Sequence, residues 1–110
     1  MFIPCTDKKV ALFFADGCEE IEGLSVADVM YRAGIVCDKI SISDSLKITS
    51  SHQITFFVDK LLSQISFDEY AILVLPGGMP GTTNLEACEP LMQAVDSFAA
   101  SHRPLAAICA

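Results

Sequence analysis

Cys109 directly follows the small apolar run Leu105-Ala106-Ala107-Ile108. A residue in that place stands at the carboxyl edge of a sheet. A helix starting next would turn its free N–H groups and dipole toward the sulfur and favour a thiolate. That is the chemistry of a nucleophile; the alternative is a core cysteine at a strand end. A carboxyl group is offered by Glu19-Glu20-Ile21-Glu22. Acids near a helix N-terminus complement its dipole, which accounts for Glu19 and Glu20. Glu22 follows an apolar residue and could turn inward with the buried face of the helix. Beside a thiolate, a buried carboxyl group resists a second negative charge, so Glu22 would keep its proton and donate it in a hydrogen bond to the sulfur. Pro76-Gly77-Gly78 is the third component. Its two glycines are free to adopt positive φ, and backbone N–H groups of Gly77 and Gly78 could face a developing oxyanion or simply form a turn. No GxxxxGKS or GxxxxGKT run exists to make it a phosphate loop.

Other titratable groups carry less. His52 lies in the polar stretch Ser50-Ser51-His52-Gln53, and His102 lies at the end of an expected helix, where a cation is favoured. Both read as surface residues. There is no HxxxH, HExxH or Cys/His cluster, so no metal site is expected. The five cysteines are an odd set without a CxxC pair, which reads as reduced thiols rather than a disulfide frame. Cys37, inside an apolar run, is expected in the core.

These residues need elements to hold them. Val10 to Ala15 is a short continuous apolar run ending at Asp16-Gly17, the pattern of a strand buried on both faces of a parallel sheet. Ile21, Leu24, Val26, Val29 and Met30 recur at helical spacing up to Arg32-Ala33-Gly34, a cation followed by a glycine cap. Ile35 to Ile42 reads as the second strand, and Ser43-Asp44-Ser45 as a turn. Leu46 to Thr49 and Ile54 to Val58 are two short β runs, the second at an edge or in a hairpin. Asp59 to Asp68 reads as a short helix or irregular connection, and Tyr70 to Leu75 as the clearest buried strand. Met79 to Asn84 is expected to be loop. Leu91, Met92, Val95, Phe98 and Ala99 form one face of a helix from about Glu89 to Ser101, before the last run at Leu105 to Ile108. Such alternation implies an α/β doubly wound parallel sheet with right-handed crossovers. Ligands bind beyond the carboxyl ends of its strands, where the acidic loop, the Pro-Gly-Gly turn and Cys109 all fall.

Bulk properties narrow the class. A chain of 110 residues is at most one domain, and 52% hydrophobic content supports a packed core. The net charge of −7, with no basic run, argues against nucleic acid and anionic membrane as partners. No apolar stretch reaches the roughly 20 residues of a membrane span, and the polar start lacks a signal-peptide layout. A cytoplasmic location is the default. A last strand without its covering helix leads us to expect residues 1–110 to be the N-terminal part of one domain, incomplete at the C-terminus.

Four stretches in order resemble the ThiJ/PfpI family, in its Parkinson-linked deglycase or glyoxalase-type branch. They are Ala15 to Glu22, Asp28 to Gly34, Leu75 to Gly81 followed by Asn84-Leu85, and Ala106 to Ala110. The resemblance spans nearly the whole chain and implies a flavodoxin-like fold of the class I glutamine amidotransferase type. It implies Cys109 as nucleophile on a strained elbow, Glu22 as its protonated partner, and backbone N–H groups of Gly78 and Ala110 as the oxyanion site. Arg32 and His52 fall where some members place two arginines around an anion near a dimer interface; the histidine weakens that site and makes it pH-sensitive. Cys18 becomes either a second oxidisable thiol or a small residue tolerated in the loop. A third catalytic group, usually a histidine, comes later in the family sequence. Alanine at position 110 is similar to the deglycase branch rather than the protease-named branch, which carries histidine there. The implied activity is cofactor-free conversion of methylglyoxal-like α-oxoaldehydes, or of their protein adducts, by a homodimer. The rivals are an oxidative-stress sensor or chaperone using the same cysteine, and the thiazole (thiamine) biosynthesis label some relatives carry.

Overall fold

The computed structural model describes residues 1–108; Cys109 and Ala110 lie outside the described residues. The chain runs β1 (Lys9–Phe14), α1 (Glu20–Ala33), β2 (Val36–Ser41), β3 (Lys47–Thr49), β4 (Thr55–Phe57), β5 (Lys60–Leu61), β6 (Ile72–Leu75), α2 (Gly81–Glu86), α3 (Glu89–Ala100) and β7 (Leu105–Ala107). Five strands form one sheet in the order β5-β2-β1-β6-β7, and every pairing in it is parallel. Without the two-residue edge strand β5, the order is that of a flavodoxin-like sheet, with β2 and β6 on either side of β1. The expected α/β class therefore holds.

The sheet is where it is because β1 is apolar on both faces. Ala11 and Phe13 enter one buried cluster with Tyr70, Leu73, Leu91 and Phe98, under α3. Val10, Leu12 and Phe14 enter a second cluster with Ile48, Val58 and Val74, under α1 and the β3–β4 hairpin. Phe13 and Phe14 are both fully buried, each contributing roughly 1.5–3 kcal/mol. Cys37 packs against the second cluster, and burial pushes its thiol up to about 11.

Several expectations are corrected. Ile21 and Val29, assigned to the inner stripe of α1, point outward at 70% and 57% exposure. The helix instead meets the sheet at Gly23, where a Cβ would lie 2.3 Å from Phe14 Cε1. Only the missing side chain allows that approach. Met79 to Asn84 is not all loop, since α2 starts at Gly81. Asp59 to Asp68 holds the edge strand β5 and two 3-10 turns, Leu62–Gln64 and Phe67–Glu69. On α3, Ala94 rather than Ala99 faces the core. The helix cap at Gly34 (φ 76°) and the β3–β4 hairpin follow the sequence reading.

Candidate active site

The order of the sheet reverses between β1 and β6, so the crevice beyond their carboxyl ends is its switch point. Two loops meet there. The segment after β1 carries Asp16 to Glu19 into α1, and the segment after β6 carries Pro76 to Pro80 into α2. They are tied by a reciprocal pair of hydrogen bonds: Glu19 N–H donates to Gly77 O at 2.9 Å, and Gly77 N–H donates to Glu22 Oε1 at 2.9 Å. Glu22 thus turns inward, as expected from its place on α1. Its Oε2 has no hydrogen-bond partner among the described residues. The two glycines divide their roles. Only Gly78 takes a positive φ (100°), and a Cβ there would lie 2.4 Å from Glu19 N. Gly77 does not, which corrects the expectation of two such residues. With the Gly77 N–H committed to Glu22, the Gly78 N–H is the one of the pair without a partner among the described residues.

The rest of the loop is held as firmly. Gly17 N–H donates to Thr49 O (2.9 Å), Ser51 N–H to Cys18 O (2.9 Å), and Gly81 N–H to Gly17 O (3.0 Å). Asp16 accepts Thr49 N–H through Oδ1 at 2.9 Å and Asn84 Nδ2 through its carbonyl at 2.8 Å. One short segment therefore binds the hairpin, the glycine turn and α2. Cys18 is fully buried within it, and burial, with the charges of nearby carboxylates, pushes its thiol up to about 11. Of the two sequence readings, the small residue tolerated in the loop is the one this burial fits, because a protonated buried thiol is inert.

Beyond β7 the chain still follows β6, since Ile108 N–H donates to Leu75 O at 3.0 Å. Cys109 is the next residue along the chain. The expected nucleophile, Cys109, and the expected oxyanion donor Ala110 lie outside the described residues.

Arg32 and His52 are not brought together within the chain. Arg32 Nε pairs with Asp28 Oδ1 at 3.0 Å in the last turns of α1. His52 Nδ1 meets Glu20 at the other end, at 2.8 Å from Oε1 and 3.0 Å from Oε2. Twelve helical steps separate Glu20 from Arg32, about 18 Å. The surroundings of His52 are anionic, with Glu19 Oε2 at 3.8 Å as well, so the expected Arg32–His52 anion site is not formed in one chain. The hydrogen bond to Glu20, with the charges of both glutamates, raises the His52 pKa. The neighbouring Glu19 carboxyl, and then the hydrogen bonds from Ser50 and His52, hold the Glu20 carboxyl well below its ordinary value against its burial. Sequence reasoning missed Glu20, which is 5% exposed and accepts Ser50 Oγ at 2.8 Å. The only available signal was the polar Ser50-Ser51-His52 stretch directly after a short β run.

A model of the DJ-1/PfpI family matches residues 8–110. The chain belongs to that family. It is 33% identical over 96 residues to protein DJ-1 homolog B of Arabidopsis thaliana, covering 87% of this chain and 22% of that protein. The solved structure of oxidized Toxoplasma gondii DJ-1 superposes with a TM-score of 0.88 at 31% identity, covering 93% of this chain and 55% of that one. Drosophila melanogaster DJ-1beta gives 0.90 at 28% identity, covering 96% and 56%. The chain thus spans between about a fifth and just over half of these three relatives. DJ-1/PfpI membership agrees with the resemblance drawn from the four sequence stretches. No helix among the described residues is long and apolar enough to cross a membrane.

Proposed function

We propose that the protein is a cofactor-free, cysteine-dependent enzyme of glyoxalase or deglycase type. It acts in the cytoplasm on methylglyoxal-like α-oxoaldehydes or their protein adducts. The observation that carries this reading is the Glu22 carboxyl, turned into the switch-point crevice and fixed on Gly77 N–H at 2.9 Å, with one oxygen left for chemistry. Cys109 supplies the nucleophile. Its thiolate adds to the aldehyde carbon, forming a C–S bond, and Glu22 gives its proton to the new alkoxide. In this reading the N–H groups of Gly78 and, as the family resemblance implies, Ala110 stabilise that oxygen. The Glu22 carboxylate then takes the proton left on that carbon and returns it to the neighbouring carbon, while the hydroxyl proton passes between the two oxygens. A hemithioacetal becomes a thioester. Water cleaves it, releases lactate from methylglyoxal, and restores both the thiolate and the Glu22 proton. The net change is addition of one water, so no redox partner is required.

The test is methylglyoxal consumption by the purified protein beside Cys109→Ser and Glu22→Gln. Turnover lost in both variants is the expected result; turnover that survives Cys109→Ser defeats the reading. A second reading, an oxidation sensor using Cys109, draws on the solved relative described as the oxidized form. Selective oxidation of Cys109 by dilute peroxide without any turnover would favour it. We also propose a homodimer through the outward face of α1, where Ile21, Val29 and Tyr31 are exposed; light scattering at the monomer mass would exclude it.

A further inference from the structure

We propose that Glu19, Glu20 and His52 form a binding site for a divalent transition-metal ion of the zinc type, outside the Cys109 chemistry. One oxygen from each carboxylate and an imidazole nitrogen lie within 4.8 Å of one another, and this is the only such grouping among the described residues. Two acids at the start of a helix would mean no more than dipole complementation. The imidazole makes the difference. It comes from a separate element, the turn between β3 and β4, and aims Nδ1 at both carboxylates.

The donor oxygens can be named, each free of partners outside the group. Glu19 Oε1 accepts Ile21 N–H at 3.0 Å, and Glu20 Oε1 accepts Ser50 Oγ at 2.8 Å. That leaves Oε2 of each carboxylate facing His52 Nδ1, at 3.8 Å for Glu19 and 3.0 Å for Glu20. Zinc held tetrahedrally with bonds of about 2.0–2.1 Å needs ligand atoms about 3.4 Å apart. The two nitrogen–oxygen distances bracket that value, and one oxygen of each carboxylate lies within 4.8 Å of the other and of the imidazole nitrogen. Two carboxylates and a neutral imidazole balance its charge, and water takes the open fourth position. The carboxylates are already anchored as metal ligands usually are: Glu20 by the Ser50 hydroxyl, Glu19 by the Ile21 amide. The ion takes the place of the proton that now bridges His52 and Glu20. Sequence spacing could not show this site, because His52 stands more than thirty positions from the two glutamates along the chain.

The test is titration of ZnCl2 into the purified Cys109→Ser protein, stripped of metal with chelator, by calorimetry, with Co2+ absorption as a second readout of tetrahedral nitrogen–oxygen ligation. Removing Cys109 keeps its thiol from binding the ion, and failure of the enzyme reading leaves this result untouched. One saturable site per chain is expected, weakened at least about tenfold by Glu20→Gln and by His52→Gln. His52→Arg separates ligation from folding. Arginine keeps a cation on Glu20 but has no lone pair for a metal, so this variant should fold and still lose the site. Absence of a saturable site in Cys109→Ser, or an unchanged affinity in folded His52→Arg, overturns the proposal.

Discussion

Glu22 and Gly77, 55 residues apart in the chain, are joined by a 2.9 Å hydrogen bond from the Gly77 amide to Glu22 Oε1. The bond fixes the carboxyl of one βα unit on the glycine turn of the next, so positioning and chemistry can be separated by substitution. Glutamine at position 22 still offers a carbonyl oxygen to Gly77 but cannot carry a proton as an acid. Alanine offers neither. We therefore expect Glu22→Gln to keep near-native stability while losing turnover, and Glu22→Ala to lose turnover and roughly 1 kcal/mol of stability. Urea unfolding beside methylglyoxal turnover checks both. Equal destabilisation by the two variants would show that the Gly77 bond does not depend on the accepting oxygen.

Much of this was legible in the sequence because it rests on local pattern. The continuous apolar runs of β1 and β6 and the glycine after α1 announce themselves. What stayed hidden rests on tertiary contact. α2 begins with Gly-Thr-Thr, poor helix formers, and is held by Gly81 N–H on Gly17 O and by Asn84 on Asp16. β5 is two residues long and exists because β2 offers it an edge. Ile21 and Val29 fit the helical period yet face outward, since Gly23 sets which side of α1 can approach Phe14. The pairing of Glu20 with His52 has no signature at any spacing, because the hairpin brings it about.

The described thiols should differ sharply in reactivity. Cys5 is exposed, with its Sγ on the Ala33 carbonyl at 3.1 Å. Cys18 and Cys37 are pushed up to about 11, mainly by burial. Thiolate is the reactive form, so alkylation of the folded protein at pH 8 should modify Cys5 and leave Cys18 and Cys37 intact until denaturant is added. Peptide mass mapping after iodoacetamide treatment checks this. Early modification of Cys18 would mean that the loop between β1 and α1 opens readily, contrary to its hydrogen bonding.

Acid should weaken the fold partly through Asp38. Its Oδ2 accepts Tyr70 Oη at 2.7 Å and Lys60 Nζ at 3.0 Å, joining β2, β5 and the approach to β6. Burial by itself would raise the Asp38 pKa, but these two bonds and the charges of Lys60 and Lys9 outweigh it and hold the carboxyl below its ordinary value of 3.8. The unfolded chain therefore takes up this proton more readily than the folded one. The stabilisation is fully present above pH 3.8 and is lost as pH falls from there through the lower folded value. Asp38→Asn should cost about 1–2 kcal/mol at pH 7, since charge-assisted bonds become neutral ones. That deficit should shrink steadily below pH 4 as the native aspartate is protonated. Denaturant midpoints of both proteins between pH 2.5 and 7 check the sign, and a deficit that stays constant across that range would remove Asp38 from the acid response.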